Sequence, residues 1–401
     1  MTVRLTKLTL HRFKNLLLDE GGFAPGNLAI LIGPNGSGKS NLIAVLRFLK
    51  KAVTGEREED RGGAIWANAL ADILGGPGIL DASLTPPQTV RIKVDFAVSE
   101  HAWPDQFEWE FGVHKRPERV FVQRERLTTL PDGTRDKEYL FYQFDGDESG
   151  SGSRQMDNNS PVQNSVKYEE SCLRFSKCIK YLIEHWRFYN ANHMNLERIR
   201  AAEPKVGLPA TVLSASGENL PTVFDNLCQQ DVDFEERINE ACREILPTTR
   251  KVRAARVGRL NLAIEWYLRD NKEPFYLSDM SDGTVRMLCW AIILKTPNPA
   301  TLLVLDEPEL GLHVAWMPIL AKWIKEAADN GTQVIVATHS SDLLDHFGDR
   351  IGNVHTFEHD GTGHFAIRPL SPERLAPRLA EGWQLGDLYR VGDPDVGGWP
   401  W

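Results

Sequence analysis

The stretch Gly33-Pro34-Asn35-Gly36-Ser37-Gly38-Lys39-Ser40 constrains this chain more than any other, because it fits G-x-x-x-x-G-K-[ST] and its flanks read as the elements that pattern requires. Ahead of it, the unbroken apolar run Leu28-Ala29-Ile30-Leu31-Ile32 reads as a buried parallel strand. Behind it, Leu42, Val45, Leu46 and Leu49 recur at helical spacing, with Lys50 and Lys51 where a helix end favours cations. Glycines let the backbone fold tightly enough for successive N–H groups and the helix N-terminus to point at phosphate oxygens. Lys39 then supplies a point charge for the outer phosphates, and the Ser40 hydroxyl a ligand for Mg2+. Gly33, Asn35, Gly36, Ser37, Gly38, Lys39, Ser40 and Asn41 are the candidate nucleotide contacts.

A second constellation lies far along the chain. Leu302-Leu303-Val304-Leu305 is an apolar strand ending in Asp306 and Glu307, which places two carboxylates at the carboxyl edge of a sheet, where ligands bind in open α/β folds. Asp306 is the candidate metal residue with Ser40, and Glu307 the candidate base that activates water. The surrounding order is helix near 284–294, strand 302–305, helix near 315–328 and strand 334–337. It argues for an α/β fold with a mostly parallel sheet and crossover helices.

The middle differs. Val90 to Val98 alternates as a strand, and Val120–Leu127 and Glu138–Phe144 flank the turn Pro131-Asp132-Gly133 as a hairpin. Residues 145–165, rich in Gly, Ser, Asp and Asn, read as a flexible loop; Cys172, Phe175, Ile179 and Ile183 return to helical spacing. Near the start, alternation from Val3 to Leu10 reads as a strand, with a turn near Gly21-Gly22. The expected organisation is 1–100 as the first half of a head, 101–215 as a β-rich and helical insertion, and 216–401 as the second half with a short tail.

With 401 residues, 46 Lys and Arg against 55 Asp and Glu, and a net charge of −9, the chain has an ordinary folded composition and no overall basic character. No apolar run approaches the ~18 residues that span a bilayer, and the start lacks a secretory core, so a cytoplasmic protein without a membrane partner is expected. Five cysteines without metal-ligand spacing read as buried thiols. No heptad run predicts a coiled-coil arm.

Two further segments specify the kind of nucleotide machine. Met280-Ser281-Asp282-Gly283-Thr284 opens a helix, and Ala337-Thr338-His339-Ser340 closes a strand. The set resembles ATP-binding-cassette ATPases on their chromosome-maintenance and RecF side, whose signature is L-S-G-G-Q or a relative: Ser281 and Gly283 match it, while Asp282 and Thr284 depart. Leu10-His11-Arg12-Phe13-Lys14-Asn15, Gly38 to Leu42, Asp306-Glu307-Pro308-Glu309 with Gly311-Leu312-His313, and Thr338-His339-Ser340 are together similar to AAA-type, AbiEii-like ATPases of prokaryotic toxin–antitoxin and anti-phage loci. Weaker likenesses are Trp186-Arg187-Phe188-Tyr189, Gly217-Glu218-Asn219-Leu220 and Leu385-Gly386-Asp387-Leu388-Tyr389.

That resemblance implies hydrolysis of ATP with Mg2+ in a head-to-tail homodimer. Lys39 and the glycine loop of one copy would hold ATP, Ser281 and Gly283 of the other would contact its γ-phosphate, and His339 would be the switch histidine. His313 stands where transporters carry an aspartate, and Gln88 is the nearest candidate for the family's sensor glutamine. Two functions follow: a nucleotide-gated switch controlling a toxin or nuclease effector encoded nearby, or a RecF-like clamp on DNA. Basic residues Lys115, Arg116, Arg119, Arg124 and Arg126, and Arg250, Lys251, Arg253, Arg256 and Arg259, are the DNA candidates, although charges on the wet face of a strand are the commoner cause. The histidines 355, 359 and 364 and Asp393-Pro394-Asp395 are expected to be structural, and Trp399 and Trp401 hint at docking.

Overall fold

The computed structural model describes residues 3–55, 65–75, 88–98, 105–115, 118–129, 139–168, 170–174, 176–258 and 260–397. The chain divides into two units, Met1–Arg187 with Gly352–Leu370, and Phe188–Ile351 with Ser371–Pro400.

The first unit contains β1 (Val3–Phe13), β2 (Leu16–Phe23), β3 (Leu28–Ile32), α1 (Lys39–Thr54), α2 (Ile65–Leu74) and β4 (Gln88–Val98), then β5 (Gln106–Lys115), β6 (Glu118–Thr128), β7 (Leu140–Gly146), β8 (Ser151–Gln155), β9 (Gln163–Lys167) and α3 (Lys177–Glu184). The later strands β16 (Val354–His359) and β17 (Phe365–Pro369) complete it. Its strands are ordered β3-β16-β17-β2-β1-β4-β5-β6-β7-β8-β9. Pairing is parallel where β16 joins β3 and β17 joins β2, and antiparallel from β2 outward. Apolar β3 is buried along its whole length, and α1 buries Leu42, Val45, Leu46 and Leu49 as their spacing requires. Phe48 stacks on Trp109 of β5 at 5.2 Å, joining α1 to the antiparallel part.

Three sequence expectations change here. The first turn falls at Lys14-Asn15, whereas Gly22 (φ 58) lies within β2, where register slips between the pairs Leu8↔Phe23 and Leu10↔Leu18. Glycine marks a bulge there, not a reversal. Segment 145–165 carries strands β8 and β9, joined by turns in which Asp147 accepts from the Ser149 amide (2.8 Å) and Asp157 from the Asn159 amide (2.8 Å). The 172–183 helix splits into a 3-10 turn at Cys172–Arg174 and α3. The β6–β7 hairpin forms with Leu127 opposite Tyr142; its turn at 131–133 lies outside the described residues, as do Phe175, Arg116, Arg259, Trp399 and Trp401.

The second unit starts within β10 (Trp186–Asn190) and contains α4 (Leu196–Arg200), α5 (Leu220–Gln230), α6 (Phe234–Ile245), β11 (Thr249–Val257), β12 (Asn261–Leu268) and β13 (Phe275–Tyr276). It continues with α7 (Asp282–Leu294), β14 (Leu302–Asp306), α8 (Met317–Asp329), β15 (Gln333–Ala337), α9 (Ser341–Leu344), α10 (Pro372–Ala380) and α11 (Leu385–Arg390). β14 lies between β10 and β15 and runs parallel to β15, with Asp306 opposite Ala337. α7 is buried on all sides from Met287 to Leu294. β11, β12 and β13 form a separate antiparallel sheet. The helix–strand alternation read from the sequence is therefore present. Among the described residues α1 is the longest helix, at 16 residues, and no helix is long and apolar enough to cross a membrane.

One buried acid gives the first unit a pH dependence. Glu125 of β6 is fully buried; its carboxylate accepts from Ser171 Oγ (2.6 Å) and the Cys172 amide (3.1 Å). Burial pushes its carboxyl up to about 7, and the hydrogen bonds from Ser171 and Cys172 only partly oppose this. A raised folded-state value for an acid means stability is greatest below the unfolded value and is lost as pH rises through about 7. Between pH 5 and 8 the wild type should therefore lose on the order of 2 kcal/mol relative to Glu125→Gln. Paired melting curves test this, and a pH-independent difference would contradict the buried neutral form.

Candidate functional site

The phosphate loop is shaped by three left-handed or extended glycines and clamped from a neighbouring hairpin. Gly33, Gly36 and Gly38 have φ of 151°, 80° and 106°, values that L side chains adopt only at a cost. Gly38 caps α1 without any side-chain bond, so the helix opens directly onto backbone amides. A Cβ on Gly38 would stand 2.5 Å from Leu16 Cδ2 and 3.0 Å from Asn15 Oδ1, so the loop lies against the β1–β2 turn. Asn15 fixes that contact: its Nδ2 donates to Gly36 O (2.6 Å), while its Oδ1 accepts from Asn41 Nδ2 (2.7 Å). Asn15, and hence the functional meaning of the opening Phe13-Lys14-Asn15, was not assigned from the sequence.

Lys39 is buried and folds back to donate to the carbonyls of Gly33 and Pro34, the latter at 3.0 Å. The Ser37 hydroxyl is buried in the loop with no partner among the described residues. An orphaned donor, a lysine and a helix N-terminus in one loop fit a triphosphate. Asn35 and Ser40 are exposed and available to a ligand.

In the second unit, β14 delivers its carboxylates to a set of amide partners that sequence reasoning missed. Asn190 at the end of β10 donates to Asp306 Oδ2 (2.7 Å), and Asn192 donates to Glu307 Oε2 (3.0 Å). Glu307 has φ of 50°, rare for a side chain of this size, and its amide is held on Ala337 O at 2.8 Å. Left-handed geometry costs roughly 1–2 kcal/mol; here it turns Glu307 off the strand so that Oε1 stands 4.0 Å from His339 Nε2. Glu309 lies behind both: its Oε1 accepts from Thr338 Oγ1 (2.6 Å) and from the His339 amide (3.2 Å), and its Oε2 has no partner among the described residues. Burial, and then the charge of Glu307, raise the Glu309 carboxyl above the usual range.

The segment that opens α7 is rigid. Ser281 caps the helix, accepting from the Thr284 amide (3.2 Å), and is exposed. Gly283 is required by space, since a Cβ would stand 2.6 Å from Trp316 Cζ3. Asp282, which departs from the family signature, pairs with Arg200 Nη2 at 2.6 Å, and the same guanidinium donates to Met280 O (2.8 Å). The substitution thus exchanges a flexible glycine for an ionic tie to α4. His313 accepts from the Ala315 amide (3.1 Å) and caps a 3-10 turn.

Gln88 begins β4. Lys251 pairs with Glu235 (2.6 Å), Arg253 with Glu265 (2.9 Å) and Arg124 with Asp145 (3.0 Å), while Arg250 lies over the Tyr267 ring. Asp393 and Asp395 both pair with Arg378, and His364 bonds Thr362. Among the described residues no cluster of three His, Cys, Asp or Glu could hold a metal alone. A Mg2+ ion on Asp306 would need phosphate oxygens and water to complete its shell, which is how Mg2+ is usually held.

A glycine loop between β3 and α1, and a carboxylate-tipped β14 parallel to β15, define a P-loop NTPase. Comparison supplies the family: the model described as "AAA domain, putative AbiEii toxin, Type IV TA system" matches residues 28–345, and the chain belongs to that family. Among solved structures, the Smc head bound to the C-winged helix domain of ScpA matches with TM-score 0.55 and 15% identity over 92% of this chain and 99% of that one. The Smc head with an extended coiled coil bound to the C-terminal domain of ScpA derived from Pyrococcus furiosus matches with TM-score 0.51 and 14% identity, over 95% and 99%. These likenesses establish the fold. Among curated proteins, none matches.

Because Asn15 clamps both Gly36 and Asn41, Asn15→Ala should leave the melting temperature within a few degrees yet weaken binding of a non-hydrolysable ATP analogue by about tenfold. Calorimetric titration reads this; unchanged affinity would mean the clamp does not shape the bound loop.

Proposed function

We propose that the chain hydrolyses ATP to ADP and phosphate, and that the cycle works as a homodimeric switch governing an effector protein encoded nearby, a toxin or a nuclease. The observation that carries this reading is the strained end of β14. One carboxylate is fixed by Asn190, the next is turned by a left-handed backbone between Asn192 and His339, and the two are thereby given different tasks.

Lys39 and the backbone N–H groups of Gly33 and of Asn35 to Asn41 hold the triphosphate. Ser40 and Asp306 would hold Mg2+, which when bound neutralises phosphate charge. Glu307 accepts a proton from the attacking water, and Asn192 keeps one of its oxygens engaged so that the other is directed. His339 hydrogen-bonds the terminal phosphate and reports its loss. Ser281 presents a hydroxyl at a helix start from the second copy. Leu310 and Val314 are exposed, and Gly311 O lies 3.3 Å from a Cβ built on Gly283. An apolar rim beside an anion-binding helix start suits a protein surface that closes on ATP.

Support for a link to a toxin comes from the family's description, "AAA domain, putative AbiEii toxin, Type IV TA system", which names an AAA domain and a toxin together. The acids paired with Lys251, Arg253 and Arg124 favour this over retention on DNA. The cytoplasm suits such a switch.

Lys39→Ala should abolish nucleotide binding. Glu307→Gln should bind ATP, lose hydrolysis by roughly a hundredfold or more and run as a dimer with ATP present. Wild-type turnover in Glu307→Gln would remove the assigned base, and ATP-dependent, salt-sensitive capture of DNA without any protein partner would transfer the reading to the clamp.

A further inference from the structure

His339 precedes α9, a helix of only four residues. A single turn has no stability of its own, so its position must come from what packs on it. Most of that packing comes from α11, with α8 also against it. Leu385 and Leu388 of α11 are buried, and Gly386 lies so close that a Cβ there would stand 2.0 Å from Ser341 O and 2.6 Å from Asp345 Oδ1. The Gly386 amide donates to Asp345 Oδ1 at 2.6 Å, just beyond the end of α9. At the beginning of α9, Arg390 Nη2 donates to Ser341 Oγ (2.9 Å) and Asp342 Oδ1 (3.1 Å).

From α9 the bonding continues toward the chemistry. Ser340 caps the helix on the Leu343 amide (3.1 Å), its own amide donates to Thr338 Oγ1 (3.0 Å), and Thr338 Oγ1 donates to Glu309 Oε1 (2.6 Å). The His339 backbone therefore sits between two anchors, Glu309 on the β14 side and α11 on the other.

We propose that α11 is a clamp on the switch segment: Gly386 and Arg390 are positioning residues that set His339 against the γ-phosphate by fixing α9. Glycine at 386 is what allows the approach, because any side chain would meet a backbone carbonyl. Lifting α11 frees α9 and slows hydrolysis without touching the phosphate loop. The proposal rests on the ATPase reading given above, and its tests separate the two.

Gly386→Val, with the milder Gly386→Ala and Arg390→Ala beside it, is compared with wild type for kcat, KM for ATP and hydrogen exchange of amides 339–345. For Gly386→Val the expected result is a kcat lower by roughly tenfold or more, a KM within about twofold, and faster exchange confined to that segment; the other two follow in the same direction. In a His339→Ala background, Gly386→Val should cost no further activity, which general destabilisation would not produce. Additive losses in the double variant, or unchanged kcat and exchange in all three, overturn the clamp. If Gly386→Val does not fold, Arg390→Ala and Gly386→Ala decide alone. If wild type hydrolyses nothing, the ATPase reading fails, and the exchange data still decide whether α11 holds the segment.

Discussion

The second unit is organised around the end of β14, where a strand with four buried apolar residues gives way within one step to two adjacent carboxylates. Charges this close repel, and each would be more comfortable in water. The fold places an amide donor on each: Asn190 on Asp306 and Asn192 on Glu307. Neutral amides stabilise a carboxylate without the full counter-charge that an arginine would bring. Amide partners of this kind suit the proposed roles of the pair better than arginines would, because a structural ion pair offsets a carboxylate's charge more fully.

Strain at Glu307 belongs to the same arrangement. A left-handed glutamate is tolerated because its amide is tied to Ala337 O and its carboxylate to Asn192. Both ties come from outside β14, so the conformation is imposed by the assembled unit and not by local preference. Glu309 extends this logic by one residue. It turns back to hold Thr338 and the His339 amide, so a single short segment places the proposed base and supports the proposed sensor.

Much of this fold was legible because its signals are local. The glycine loop, the apolar strands β3 and β14 and the helices after them are contiguous patterns, and each appears where periodicity put it. What stayed hidden are the residues that act across the chain. Asn190 reaches Asp306 over a sequence separation of 116, and Asn192 reaches Glu307 over 115. A single asparagine has no period, and nothing in the short stretch Tyr189-Asn190-Ala191-Asn192 announces its partners. Asn15 was visible within a quoted motif, but its task as a clamp needs the β1–β2 turn, which the Gly21-Gly22 pair drew to the wrong place. Strands β8 and β9 look like loop in the sequence because Ser, Gly, Gln and Asn carry no hydrophobic alternation; their pairing is set by Asp-led turns and by the neighbouring β7.

The signature segment illustrates how a departure from a family pattern can be read physically. Glycine after Ser281 would leave the start of α7 free to adjust, whereas Asp282 ties it through Arg200 to α4 and to the Met280 carbonyl. Trp316 closes the other side against Gly283, and its indole donates to Ile245 O at 3.1 Å. A helix start fixed on both sides cannot follow small motions of a ligand; it must move with the body that carries it. In a switch built this way, a second copy would register ATP by whether whole surfaces meet, and loss of one phosphate would be felt as their separation. Slow turnover would suit such a device better than speed, because the state that matters is the closed one and its lifetime would be set by the step proposed for Glu307 and His339.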